Sequence, residues 1–331
     1  MRANVFVLGS GRAARALTES LRILEINDPD FKVESMRTLA RGASLKSVAS
    51  GVENPILIIA NPHGLHARTL LDADTEGFRF IVCEKPAAVS LAEIASLAKI
   101  RTPVAVCHGY RQSWGVQTLR RKIAAGEFGK LLSIEGRYWQ SSAAQAALAD
   151  VKKSNWKNDT ALGGTSDALI DISSHWLDTA CFLLNDFDSP RGEISLSYLN
   201  AEASHRDTHV HLNLLAKSGA RLFASVSKTV HGAGNHFEVN VIGEKKSATW
   251  KFLEPDIIEE GVGATRTTIA RRADEIYGSG HSPFHATGWL EGYAEILRQA
   301  LRQARGEAFA YPTLAEHLKV LGRLLEPARA E

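Results

Sequence analysis

Cysteine is scarce in this chain. Cys83, Cys107 and Cys181 are the only three, an odd number set far apart with no metal-type spacing, which points to a reducing compartment. Cys83 and Cys107 each close an apolar run, where small buried thiols are common. Long hydrophobic stretches are missing, and no run approaches the roughly 20 residues that span a bilayer. Charge of one sign is missing too. The 39 basic residues balance 37 acidic ones, and no basic run or aromatic-interleaved patch stands out, so nucleic acid is not an expected partner. There is no internal repeat and no low-complexity segment. The N-terminus opens directly into a strand-like run, so no secretion signal is expected and the expected location is the cytoplasm. What is present is an ordinary soluble composition, 44% hydrophobic and 23% charged over 331 residues, long enough for two domains.

The first third alternates between short apolar runs and helical stretches. Val5-Phe6-Val7-Leu8 leads into Gly9-Ser10-Gly11-Arg12-Ala13-Ala14, and then Leu17, Leu21 and Leu24 repeat on one helical face. Strand, glycine turn, helix is the setting of the dinucleotide fingerprint, here as G-x-G-x-x-A. Gly9 permits the tight turn. Gly11 lets backbone N–H groups approach a pyrophosphate at the positive helix end, with Ser10, Arg12 and Ala13 beside it. A second strand is expected from Phe31 to about Met36. Its end reads Ser35-Met36-Arg37-Thr38-Leu39-Ala40-Arg41, and the one nearby acid, Glu34, lies inside the strand. NAD-binding sites usually carry an acid at that end. Arg37, Thr38 and Arg41 suit a 2′-phosphate instead, so NADP is the favoured cofactor and NAD the alternative, unless the arginines merely face water.

Two more buried strands follow. Pro55 to Ala60 ends in Asn61-Pro62-His63-Gly64-Leu65-His66, and Phe78 to Cys83 ends in Glu84-Lys85-Pro86. A proline cannot continue a central strand, so Glu84 and Lys85 belong at the carboxyl edge of the sheet, where open α/β sheets bind ligands. Ser90-Leu91-Ala92-Glu93 is a capping box for the next helix. Pro103 to Cys107 forms a further short strand. The alternation predicts a doubly wound parallel sheet, an α/β Rossmann domain over residues 1–112.

From residue 113 to 331 the pattern changes. Asp171 and His175 stand four apart on a predicted helix, hence on one face. A carboxylate beside an imidazole fixes its tautomer and raises its basicity. Oxidising an alcohol needs a group to take the hydroxyl proton, a task histidine commonly performs, and Lys85 is suited to stabilise the developing alkoxide. Taken alone, such an acid–histidine pair is more often a solvated helix face. Period-two runs follow at Glu193–Tyr198, Thr208–Leu215, Leu222–Val230, Phe237–Ile242 and Ser247–Phe252, predicting a largely antiparallel sheet in an α+β domain. His205, His209, His211, His231 and His236 are scattered by that alternation and lack a completing carboxylate, so no metal is expected. Two helices close the chain, one from about Phe284 to Ala304 and one opened by a Thr313/Glu316 capping box.

The G-x-G-x-x-A turn, Asn61-Pro62-x-x-Leu65-His66 and Glu84-Lys85-Pro86 occur in this order. With Phe128-Gly129-Lys130, Trp156-Lys157-Asn158-Asp159, Gly163-Gly164 and Asp171-Ile172-Ser173-Ser174-His175, they resemble the Gfo/Idh/MocA family. The resemblance implies an open-faced C-terminal sheet that forms a homodimer or homotetramer. It implies a catalytic trio of Lys85, Asp171 and His175, and cofactor contacts from Asn61, His63, His66, Glu84, Lys85 and Trp156. The implied activity is hydride transfer between NAD(P) and a secondary hydroxyl or carbonyl of a sugar, polyol or related small molecule. A non-catalytic dinucleotide-binding regulator, biliverdin-type reduction and redox-assisted glycoside cleavage are the alternatives. Departures stand at Thr165-Ser166-Asp167, where the family carries a glycine and where extra residues precede Asp171, at Ser174, and in the short segment from Thr38 to Asn54.

Overall fold

The computed structural model describes residues 2–40, 43–148, 159–198, 206–272 and 289–326. Contacts divide the chain into two units, Met1–Gln112 with Ala273–Leu318, and Ser113–Arg272 with Lys319–Glu331.

In the first unit, β1 (Arg2–Leu8), α1 (Arg12–Asn27), β2 (Lys32–Leu39), β3 (Pro55–Ile59), α2 (His66–Asp74), β4 (Phe80–Cys83), α3 (Leu91–Leu97) and β5 (Val104–Val106) follow one another. The five strands form one sheet in the order β2-β1-β3-β4-β5, every neighbour parallel. β3 and β4 are buried along their whole length, as expected of apolar runs covered on both faces. Leu17, Leu21 and Leu24 of α1 join that core with Ile296, Leu297 and Leu301 of the late helix Trp289–Ala304. The expected start of that helix near Phe284 lies outside the described residues. Both capping boxes form: Ser90 Oγ accepts from the Glu93 N–H at 3.3 Å, and Thr313 Oγ1 accepts from the Glu316 N–H at 3.2 Å. β2 runs three residues beyond the expected end, so Arg37 and Thr38 pair with Phe6 and Val7 inside the sheet and its tip is Leu39–Ala40. Most of β2 is exposed, and an exposed edge strand has no apolar run to mark where it stops.

The second unit opens with α4 (Trp114–Ala124), β6 (Leu131–Gln140), α5 (Ser142–Leu148) and α6 (Thr160–Gly163). A π-helical turn (Ala168–Ile172) then leads into α7 (Ser173–Leu184). The strands β7 (Arg191–Ser197), β8 (His209–Leu215), β9 (Arg221–Ser227), β10 (Asn235–Gly243), β11 (Ser247–Lys251), β12 (Ile257–Val262) and β13 (Thr265–Ala270) join β6 in one sheet. Its order is β13-β12-β11-β10-β6-β9-β8-β7. All pairs are antiparallel except β6 with β9. Alternation sorts the faces: Val210, Leu212 and Leu214 of β8 are buried while His211, Asn213 and Leu215 are exposed. Trp176 of α7 is fully buried and donates Nε1–H to the Glu238 carbonyl at 3.3 Å. Gly136 makes that approach possible, because a Cβ there would stand 2.8 Å from the indole nitrogen. The period-two reading did not single out β6, β12 or β13. β6 is a central strand without clean alternation, and the β12–β13 hairpin is rich in Glu and Thr.

Candidate active site

In the first unit the strand order reverses between β1 and β3, and open α/β sheets bind ligands at that switch point. Gly9 leaves β1 there with φ +131°, and a Cβ on it would stand 2.4 Å from the Ala60 carbonyl oxygen. Only glycine lets the two strand tips approach so closely. Gly11 is the N-cap of α1 in an extended conformation, and a Cβ there would meet nothing within 4 Å. The helix starts with no side-chain cap and no acid in its first turn, so its positive end opens onto free space. That arrangement fits a dinucleotide pyrophosphate. Ser10, Gly11 and Arg12 are exposed and Ala13 is half-buried. The Arg37 guanidinium lies over the Phe6 ring, 5.8 Å from its centre. Arg41 and Trp156 lie outside the described residues.

The next two strand tips are tied together by histidine. His66, expected to line the cofactor, is fully buried. Its Nδ1 is 2.7 Å from the Pro86 carbonyl and its Nε2 is 2.8 Å from the Asn61 carbonyl, so it bridges the chain just beyond β3 and β4. Burial holds its pKa below the ordinary value against the upward pull of those carbonyls. The Asn61 amide donates to Thr69 Oγ1 at 3.1 Å, while its Oδ1 is buried without a partner among the described residues, an acceptor that a ligand donor would satisfy. His63 is half-buried in the turn between Asn61 and α2. Glu84 is buried and accepts from the Tyr293 hydroxyl, whose pKa burial and the Glu84 charge push well up. Lys85 is half-buried, and the Lys85–Pro86 peptide is cis.

Against Ala87, just beyond the Lys85–Pro86 peptide, sits a histidine pair that the sequence reading did not single out. The Ala87 N–H donates to His317 Nε2 at 2.9 Å. That nitrogen is therefore unprotonated, and in the neutral ring the proton is on Nδ1, which donates to His108 Nε2 at 2.7 Å. Burial pushes both imidazoles well below their ordinary pKa, so the pair is a neutral, tautomer-fixed strut under the Glu84-Lys85-Pro86 turn. One signal for it exists in the sequence. His317 falls on the apolar face that Leu314, Leu318, Leu321 and Leu324 define at helical spacing.

In the second unit Asp171 and His175 are both buried but do not share one regular α-helix. Asp171 belongs to the π-turn and His175 to α7. A π-turn takes up one residue more than an α-turn. Asp171 Oδ2 is 2.5 Å from Lys228 Nζ, and the same nitrogen is 2.5 Å from Asp167 Oδ1. Asp207 accepts from the Asp167 N–H at 2.8 Å and the Leu169 N–H at 2.5 Å. Arg206 donates to the Gly163 carbonyl at 3.1 Å. The departure at Thr165-Ser166-Asp167 is thus a pinned loop. The His175 ring centre stands 6.1 Å from that of Tyr138, whose hydroxyl donates to Asn235 Oδ1 at 2.9 Å. Lys228 was legible in principle, because it continues the inward parity of Leu222, Ala224 and Val226 on β9. A lysine at a core position needs a counter-charge.

Residues 116–249 match the family profile described as the GFO/IDH/MocA C-terminal domain. The levoglucosan dehydrogenase of Pseudarthrobacter phenanthrenivorans is 24% identical over 86% of this chain and 80% of its own. The glucose-6-phosphate 3-dehydrogenase of Bacillus subtilis is 25% identical over 76% of this chain and 75% of its own. Among solved structures, a levoglucosan dehydrogenase in complex with NADH superposes with a TM-score of 0.86 at 19% identity, covering 99% of this chain and 97% of that one. An inositol dehydrogenase homologue from Azotobacter vinelandii complexed with NAD+ gives 0.83 at 17% identity, covering 99% and 96%. Residues 116–249 thus match the GFO/IDH/MocA C-terminal domain, and the chain as a whole shares the fold of these dehydrogenase structures.

Proposed function

We propose that the protein is an NAD(P)-dependent oxidoreductase that transfers hydride between the nicotinamide and a secondary hydroxyl or carbonyl of a sugar, polyol or related compound. The observation that carries this reading is the β1–α1 junction, where Gly9 has no room for a side chain and Gly11 faces open space at an uncapped helix end. A bound nicotinamide supplies the hydride acceptor. In this reading His175 takes the hydroxyl proton, Asp171 orients it, and the Lys85 ammonium stabilises charge developing on the oxygen. Glu84 holds the Lys85 turn by accepting from the Lys85 N–H at 3.2 Å, and His66 and His317 hold it through Pro86 and Ala87. The relatives named for levoglucosan and glucose 6-phosphate support a carbohydrate-like substrate.

The tip of β2 offers no carboxylate for a free ribose. Glu34 lies further back in the strand and pairs with Arg2 at 3.4 Å. We therefore favour NADP(H) over NAD(H), with Arg37, Thr38 and Arg41 around the 2′-phosphate. The buried free thiols of Cys83, Cys107 and Cys181 suit a reducing compartment such as the cytoplasm. The test is nicotinamide absorbance with both cofactors over levoglucosan, glucose, glucose 6-phosphate and myo-inositol, with calorimetric titration of NADPH and NADH. Turnover of a carbohydrate and tighter NADPH binding are expected. Absence of binding of either dinucleotide would defeat the reading, and equal affinities would remove the NADP preference.

A further inference from the structure

We infer that Lys228 is a positioning residue of the proposed active site: by neutralising Asp167 it lets Asp171 stand as an anion beside His175. The inference rests on the oxidoreductase reading for what Asp171 then does, but its charge logic is independent of that reading.

Both carboxylates contact one ammonium at 2.5 Å, so their oxygens lie within about 5 Å of each other. The side chains of Lys228 and Asp171 are 5% and 8% exposed, so water screens little of their interaction. Two like charges held this close out of water repel one another, and a cation in contact with both offsets that repulsion. Among the described residues, the ionisable groups near this pair include Arg206, 3.8 Å from Asp167 Oδ1, Asp207, whose two oxygens accept from backbone N–H groups of the π-turn region, and His175 on α7. Asp207 and Arg206 hold the backbone of the loop, Arg206 with a longer contact to Asp167, and Lys228 is the cation in direct contact with both acids. Burial lowers the pKa of Lys228, but the charges of Asp171 and Asp167 outweigh it and raise the value above that of an ordinary lysine. The lysine is built in from the backbone as well, because its N–H donates to the Thr208 carbonyl at 2.9 Å. Asp167 belongs to the Thr165-Ser166-Asp167 stretch that departs from the resemblance, and Lys228 answers its charge.

A packing role and a charge role predict different outcomes. Lys228→Met keeps most of the apolar stem and removes the ammonium, leaving an excess carboxylate. Lys228→Met with Asp167→Asn removes one charge of each sign and restores the balance. With the full-length protein and whichever carbohydrate of the panel turns over, kcat is expected to fall at least tenfold in Lys228→Met at neutral pH. The acid limb of its pH–rate profile should move to higher pH, while the dissociation constant for NADH stays within twofold. The double variant should recover most of the rate and return the acid limb to its wild-type position. A folded Lys228→Met with unchanged kcat and pH profile, or a double variant no better than the single one, overturns the inference. The side-chain NMR signal of the Lys228 ammonium provides a readout without substrate. It should stay protonated above the ordinary lysine range in the wild type and titrate lower in Asp171→Asn. If no carbohydrate turns over, the oxidoreductase reading fails on that panel while this signal still decides the charge pairing. A Lys228 titration indifferent to Asp171→Asn overturns it.

Discussion

Gly9 and Gly11 are two residues apart in the sequence yet should fail in opposite ways when each becomes alanine. At Gly9 the new Cβ would stand 2.4 Å from the Ala60 carbonyl oxygen and 2.7 Å from its carbon, both backbone atoms of the neighbouring strand's exit, and φ is +131°. A region of backbone space reserved for glycine costs about 1–3 kcal/mol for another residue. Pushing β1 and β3 apart costs about 1–3 kcal/mol more. Gly9→Ala should therefore lose roughly 2–6 kcal/mol of stability, a fall in Tm of roughly 5–20 °C. Gly11→Ala meets no atom within 4 Å and keeps a φ of −76°, so its stability should change by about 1 kcal/mol or less. Its methyl group instead enters the space before the uncapped helix end, and NADH and NADPH should both bind at least about tenfold more weakly, with Gly11→Val worse. Thermal melts by circular dichroism and calorimetric titration of both dinucleotides separate the two effects. A Gly9→Ala protein as stable as wild type, or a folded Gly11→Ala protein with unchanged affinity for both cofactors, would refute the reasoning.

His175→Ala and Lys85→Ala should each lower kcat about a hundredfold or more, and His175→Ala should leave cofactor affinity nearly unchanged; steady-state kinetics beside NADH titration checks both. His108 and His317 have folded pKa values well below the ordinary one, so the stability they contribute is present above about pH 6.5 and lost as pH falls. The unfolded chain binds protons there that the folded one refuses, at up to about 1.4 kcal/mol per pH unit for each ring. Melts between pH 7.5 and 5 should show that slope, and His108→Gln with His317→Gln should flatten it. On the exposed face of the eight-stranded sheet, Phe223 and Leu215 are each 49% exposed, an apolar pair suited to a second copy of the chain. Light scattering should find a dimer or tetramer that Phe223→Asp dissociates; a wild-type monomer would end that proposal.

Much of this protein was legible in one dimension because the signals were local. A parallel strand buried on both faces must be apolar throughout, so Ile56 to Ile59 and Phe80 to Cys83 stood out. A tight strand-to-helix turn needs glycine, so Gly9 and Gly11 stood out, and Thr313 with Glu316 capped the helix they announced. Alternation placed five strands of the second sheet. The sequence by itself thus determined the two kinds of sheet, the glycine cradle, and the Glu84-Lys85-Pro86 turn at a strand tip. Tertiary structure alone decided what depends on partners distant in the chain. It brought Tyr293 to Glu84 and His317 to Ala87 by returning the late helices to the first unit, across more than 200 residues. It set His66 between two carbonyls, converted the segment around Asp171 into a π-turn, and set Lys228 between Asp167 and Asp171. Local propensity carries no information about which buried charge will meet which; only the packing of β9 beside the π-turn, where an unpaired ammonium could not remain, selects that pair.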